Sequence, residues 1–459
     1  MVDMLNLAPA DATASTLAAA VLRERLSPLT GLLGPISPPV RLPVPEGIPG
    51  LPIASSATGD LRWVLPEVAA FARRTGRPAT GLDGAGGGFD ATLAEWVAAA
   101  EALERYCSAV YSRDQLITAT ADELGAEALD LDTLPRLSDR ELADDRHRVR
   151  PARKDQSRAW VRGVRLSDAR LTWIPAELVW LYFDEPGDQR LSAPNSTGCA
   201  IHTDPWQALL NGLFEVIERD AISIVWRQRL PLPEIEVDEA SPELERLLAR
   251  FAADPGVSMR LFDATLDLGV PIVYAVYQEH HSARLSHVLG CGINPDPGKA
   301  AANAVREAIS CRLALGHQGA APTDVDTIRG TFDGALYMGL PEHAEAFDFL
   351  VGPDRAGGTT PLSGIRSPIP DGSPKRHLTE LLTRMRDAGL DVFAVDIGCD
   401  ESREAGFTAV KAIVPGLQPL SFTHRAQFLA SPRLYAAPAA CGYPVRQLED
   451  LNPWPQPFA

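Results

Sequence analysis

Glu215, Glu218 and Arg219 sit three and four residues apart in an apolar-periodic run that opens at Asp204-Pro205. Asp-Pro ahead of such a run is a helix start, and on a helix these three side chains share one face. Two carboxylates and a guanidinium on one face can hold a cation and an anion side by side. The same frame occurs twice more. Counted from Glu101, Glu215 and Glu307, a glycine lies 17 positions back (Gly84, Gly198, Gly290), an aspartate 11 back (Asp90, Asp204, Asp296) and an alanine 7 back (Ala94, Ala208, Ala300). Glu101 is followed by Glu104 and Arg105, and Glu307 by Ser310, Cys311 and Arg312.

The copies lie 92 to 114 residues apart, too far for a solenoid, so they read as three copies of one supersecondary unit inside a single fold. If the three helices converge, Glu101, Glu104, Glu215, Glu218 and Glu307 meet. Five close carboxylates raise one another's pKa, and a divalent cation relieves the repulsion. Mg2+ accepts a few carboxylates and completes its octahedron with water and phosphate oxygens. Arg219 and Arg312 are then candidates to hold phosphate. The alternative is three separate helices whose Glu-Arg pairs face water.

These segments resemble the YcaO superfamily. NSTGCAIHTDPWQALLNGLFEVIERDA (195–221) is similar to its signature, and the likeness continues in 86–110, 261–276, 289–314 and AVKAIVPGLQPLSF (409–422). It covers about residues 60–459, leaving 1–59 as an N-terminal Pro-rich segment. The chain closes on LNPWPQPFA, which resembles the Pro-x-Pro-x-Pro tail of azoline-forming members. It departs from the family pattern at Gly87, Val97 and Ser310.

The resemblance implies an α+β fold in which three strand/helix units converge on a nucleotide site. It implies an enzyme that uses ATP and Mg2+ to cyclodehydrate Cys, Ser or Thr in a ribosomally made precursor peptide, giving thiazoline or oxazoline. By motif, Glu101, Glu104, Glu215, Glu218 and Glu307 would bind Mg2+ or ATP, and Arg219 and Arg312 the phosphates. Pro453, Pro455 and Pro457 would carry the carboxylate of Ala459 to the reacting amide. The implied partners are the precursor peptide, a separate E1-like leader-binding protein, a flavin-dependent azoline dehydrogenase and a second copy of the chain. Two other readings stand beside this one: a non-catalytic scaffold that delivers peptide, and ATP-driven thioamide or amidine formation.

The rest of the chain sets bounds. Its 459 residues, 45% hydrophobic and 22% charged, suit a globular protein with a large core. A net charge of −17 argues against nucleic acid and against anionic membranes. No apolar run reaches membrane-spanning length, and MVDMLNLAPADATAS lacks the features of a signal peptide; a cytoplasmic location is expected. Six cysteines show no C-x-x-C and no paired Cys/His spacing, so zinc is not expected, and Cys107, Cys199 and Cys291 read as small packing residues. A helix is expected over 10–26, then extended Pro-rich pieces at a sheet edge. Gly81–Gly88 reads as a close-packed turn, the charged stretch 131–158 as a surface excursion, and His280, His281 and His287 as a solvated connection.

Overall fold

The computed structural model describes residues 12–31, 33–45, 50–75, 82–183, 190–252, 255–328 and 330–458. Its longer helices are α1 (Ala12–Leu26), α2 (Pro66–Thr75), α3 (Ala91–Cys107), α4 (Pro205–Gln228), α5 (Pro297–Gly316), α6 (Thr331–Met338), α7 (Pro374–Asp387) and α8 (Arg433–Ala440). A small antiparallel sheet joins β1 (Val40–Leu42), β2 (Ile53–Ala57) and β3 (Asp83–Gly87). A second sheet runs β4 (Leu116–Ala119), β5 (Arg158–Arg165), β13 (Phe393–Asp396), β14 (Thr408–Ile413), β7 (Cys199–His202), with β6 (Arg170–Pro175) paired to β5. The third runs β11 (His287–Ile293), β10 (Ile272–Glu279), β9 (Val257–Asp263), β8 (Glu234–Glu236), β12 (Thr359–Pro361). Helices and sheets are mixed, as the α+β expectation required.

Each repeat is one strand followed by one helix: β3 and α3, β7 and α4, β11 and α5. Each belongs to a different sheet. The repeated aspartate is the N-cap in all three. Asp90 accepts from the N–H of Thr92 and Leu93, Asp204 from Trp206, and Asp296 from Gly298 and Lys299, satisfying donors that a helix start leaves open. The repeated glycine sets how closely strand and helix approach. A Cβ on Gly84 would lie 2.3 Å from the Ala98 carbonyl oxygen, and one on Gly290 2.3 Å from that of Ala304. Gly198 combines φ +85° with a Cβ position 2.2 Å from the Ala412 carbonyl, so an L side chain is excluded on both counts.

Helix α4 is the axis of the largest core. Its apolar residues from Leu210 to Trp226 pack with β9–β11, α7 and α8, which makes it buried nearly all round. Buried charge on such a helix must be paired. Asp220 is 1% exposed and bonds bidentately to Arg433 of α8, which also grips Asp267. Removing one partner of a buried pair typically costs about 3–5 kcal/mol. Arg433→Met is therefore expected to lower the urea midpoint strongly without changing the m-value.

Several local expectations are revised. Within the glycine-rich stretch, Asp83–Gly87 form the strand β3 in place of a turn, though the close packing holds; Gly81 lies outside the described residues. The charged stretch does not simply ride on the surface: Glu141 is 5% exposed and anchors a distant loop, as described below. Acidic side chains in its surroundings had masked the helix start, a Ser138–Glu141 capping box. His287 is buried on β11 and stacked on Phe347 at 4.6 Å, and burial pushes its pKa down to about 4. The N-terminal segment joins the first repeat, α1 packing on α3 and β2 pairing with β3; the expected helix start at residues 10–11 lies outside the described residues. Among the described residues no helix is long and apolar enough to cross a membrane.

Candidate functional site

The close strand–helix approach does more than pack. In each repeat the first glutamate reaches back to a backbone N–H of its own strand or of the turn that enters it. Glu101 Oε2 accepts from Ala85 N at 2.9 Å, Glu215 Oε2 from Gly198 N at 2.8 Å, and Glu307 Oε2 from Cys291 N at 2.6 Å. One carboxylate oxygen per repeat is thus fixed by the fold, which orients the other. The three helices do converge. Glu101, Glu104, Glu215, Arg219 and Glu307 line one cavity of about 730 Å3, a size usual for small-molecule sites. Glu218 lies just behind that wall, 2% exposed, close enough to feel the charges of Glu307, Arg219 and Glu215.

The electrostatics follow from burial. Desolvation pushes Glu104 up to about 8 against the opposing pull of Arg105, with the charges of Glu101 and Glu215 adding to the rise. Desolvation, then the charge of Glu307, pushes Glu218 up to about 7. Both folded-state values exceed the ordinary carboxylate range near 4.3. The folded protein thus binds more protons than the unfolded chain between those values, and stability falls as pH rises through that window. Ligand-free protein is expected to melt at a lower temperature at pH 8.5 than at pH 6. A bound cation stabilises the ionised forms, so Mg2+ with nucleotide should reverse or flatten the trend. Melting curves at both pH values, with and without the ligands, check this.

Three buried polar atoms around the cavity have no hydrogen-bond partner among the described residues: Glu218 Oε1, Arg219 Nη1 and Ser310 Oγ. Buried polar groups are normally satisfied, and an acceptor, a donor and a hydroxyl left over together suit a ligand that is both cationic and anionic. Among the described residues no three His, Cys, Asp or Glu side chains form a metal cage on their own. The five glutamates expected to meet around one ion are thus gathered at one cavity without closing into a cage.

Two sequence expectations land elsewhere. Arg312 does not line the cavity; its guanidinium bonds Glu279 at the end of β10, at 2.7 Å. Arg105 does line the cavity, bonding Glu101 at 2.8 Å and Glu104 at 2.5 Å. It stands at the same frame position as Arg219, which was the signal for it. Pro453, Pro455 and Pro457 are also absent from the cavity lining. Their segment docks on the far half of α4, where Arg227 donates to the carbonyls of Asn452 and Trp454, and Phe458 packs edge-on against Tyr274 at 4.9 Å. Tyr274 faces Cys291 across the β10–β11 ladder, the residue whose N–H holds Glu307. Ala459 lies outside the described residues.

Other site residues gave weaker signals. Lys411 is 3% exposed on β14, and its Nζ donates to the carbonyl of Asn195 at 3.1 Å, steadying the loop that enters β7; a lysine inside AVKAIV marks it. Phe428 lines the cavity with φ +57°, a strained backbone for an aromatic residue. Glu141 holds it there by accepting from the N–H groups of Gln427 and Leu429 on either side.

The family model described as YcaO cyclodehydratase, ATP- and Mg2+-binding, matches residues 85–418. An uncharacterised protein of Methanothermobacter thermautotrophicus is 29% identical over 343 residues, covering 73% of this chain and 82% of the relative. Among solved structures, a heterocyclase in complex with substrate and cofactor superposes with a TM-score of 0.75 at 20% identity. That match covers 96% of this chain but 57% of the heterocyclase, so this chain spans little more than half its length. A YcaO protein from Methanopyrus kandleri bound with AMPPCP and Mg2+ gives a TM-score of 0.61 at 20% identity, with 88% and 91% covered.

Proposed function

Because this chain belongs to the YcaO family, we propose that it is an ATP- and Mg2+-dependent peptide cyclodehydratase. The observation that carries the reading is the convergence of glutamates from three repeats on one cavity, beside the unpartnered Glu218, Arg219 and Ser310. Glu104 and Glu218 are the carboxylates whose raised pKa values a cation would lower, with Glu101, Glu215 and Glu307 oriented around them. Arg219 and Arg105 offer donors to phosphate oxygens. Bound ATP with Mg2+ supplies a phosphoryl group that turns a poor oxygen leaving group into phosphate. The residues here bind, orient and balance charge, which is the larger part of phosphoryl-transfer catalysis.

The reaction this supports begins when a Cys, Ser or Thr side chain attacks the preceding backbone carbonyl. The former carbonyl oxygen takes the phosphoryl group and leaves as phosphate, giving thiazoline or oxazoline. We assign the docked tail an indirect part, since Phe458 packs on Tyr274, which pairs with Cys291, the residue whose N–H holds Glu307. Leader recognition is assigned in this reading to an E1-like unit, the partner that the family resemblance implies; the chain spans little more than half of the heterocyclase it resembles.

The test uses the full chain, Mg-ATP, a Cys-containing precursor peptide and its leader-binding protein. Expected is a peptide lighter by one water per modified residue, with matching ADP and phosphate. Replacement of oxygen by sulfur would make it a thioamide-forming enzyme. ATP binding without any peptide change would favour the scaffold.

A further inference from the structure

A second, smaller pocket of about 120 Å3 opens beside the main cavity, behind the loop that enters β7. It is a little smaller than the ~150 Å3 cavity that admits a benzene-sized guest. Asn195, Thr197, Arg219, Leu420 and Phe428 belong to the walls of both. The remaining wall is mostly apolar, with Leu134, Leu178, Leu191, Val414 and Leu417. Gln418 interrupts it. The Gln418 Nε2 donates to the carbonyls of Gln427 at 3.0 Å and Phe428 at 3.5 Å, which fixes the orientation of the amide. Its Oε1 is then an acceptor with no partner among the described residues, on a side chain 1% exposed. A buried acceptor without a donor is costly to keep. Gln418 belongs to the wall of a pocket that is mostly apolar, with Ser192, Asn195, Thr197, Arg219 and Lys411 as its other polar residues. Lys411, on the same wall, is engaged with the carbonyl of Asn195.

We propose that this side pocket seats an aliphatic side chain of the peptide substrate, with a backbone N–H of the peptide donating to Gln418 Oε1. It rests on the reading that the substrate is a peptide. Arg219 belongs to both walls, so the occupant lies beside whatever that guanidinium holds in the main cavity. The pocket thereby reads a residue flanking the one that is cyclised, and selects for branched apolar side chains there. A volume this small admits one such side chain and excludes an aromatic one.

The probe is N-acetyl-leucine N-methylamide, one aliphatic side chain between two peptide bonds, followed by ligand-observed NMR on the full chain saturated with Mg2+ and AMPPCP. It is expected to bind, with the glycine analogue weaker by about tenfold or more, as loss of buried methylenes costs. Leu134→Phe and Leu178→Trp fill the pocket from two half-buried wall positions. Each should weaken the probe by about tenfold or more while Mg-AMPPCP still binds, which also shows that the variants fold. Unchanged affinity in both variants, equal binding of the glycine analogue, tighter binding of an aspartate analogue, or expulsion of the probe by the nucleotide would overturn the proposal. No turnover is needed. A probe that fails to bind while Mg-AMPPCP binds defeats the pocket alone, whereas failure to bind the nucleotide defeats the proposed function.

Discussion

Glu218→Gln is expected to make the ligand-free protein more stable at pH 8.5 while removing its Mg2+-dependent ATP binding. The two effects have one cause. Glu218 is 2% exposed and its Oε1 has no partner among the described residues, so ionising it costs the fold free energy. Its pKa of about 7 records that cost. Above pH 7 the wild type bears the charge, and glutamine does not. The same charge is what a cation would use. Truncating one partner of a desolvated charge pair typically costs about 2–5 kcal/mol, or roughly thirty- to several-thousand-fold in affinity. Calorimetry of Mg-ATP binding and thermal melting at pH 8.5 read the two sides. A variant that binds Mg-ATP like the wild type removes Glu218 from the site.

Glu215→Ala is the contrasting control. Its Oε2 accepts the Gly198 N–H and its Oε1 lies 3.8 Å from Arg219. Deleting it strips a fold contact together with a charge, so stability and binding should fall together. Glu215→Gln keeps an acceptor for Gly198 and separates the two effects. The opposite signs expected for Glu218 and Glu215 distinguish a carboxylate kept for a ligand from one that also holds the backbone.

How far the sequence shows this arrangement depends on whether a residue's task recurs. Asp90, Asp204 and Asp296 cap helices, Gly84, Gly198 and Gly290 permit close approach, and Glu101, Glu215 and Glu307 bond back to the backbone. Each task is local to one repeat, so each left the same residue at the same spacing three times. The three repeated units were legible for that reason, while the α+β class came with the family resemblance and the convergence stayed conditional until the structure. The pairing of Arg312 with Glu279, on another strand, left no such pattern. Glu141 was hidden among acidic neighbours, and only the return of the chain 286 residues later, to Gln427, gives it a role. Gln418 is more obscure still, since a lone glutamine in a Pro-rich run says nothing until two carbonyls fix its amide. Contacts made once, between distant segments, leave no periodic trace.

The tail is such a contact, and its removal carries the second large expected effect. Deleting Phe458 and Ala459 should abolish cyclisation and leave Mg-ATP binding intact. Phe458 is 1% exposed and packs in the largest core with Tyr274. Gly334 of α6 admits the tail closely, since a Cβ there would lie 2.4 Å from the Gln456 carbonyl oxygen. Two residues earlier, Phe332 lines the cavity, so the described part of the tail, up to Phe458, backs a helix that forms part of the cavity wall. Losing a buried phenyl ring costs about 3–5 kcal/mol, enough to release the tail yet modest for a chain of this size. Arg227→Gln tests the same attachment from the other end. It withdraws the guanidinium from Asn452 and Trp454 while leaving every tail residue in place. Hydrogen exchange should then speed at the Asn452 amide, which donates to the Arg227 carbonyl, and stay slow at Gly198 and Cys291, whose amides are held by glutamates. If both variants release the tail and still cyclise peptide at the wild-type rate, the tail is packing alone. If the truncated protein loses Mg-ATP binding as well, the tail supports the nucleotide site through Tyr274 and Cys291 and has no separate part in the peptide chemistry.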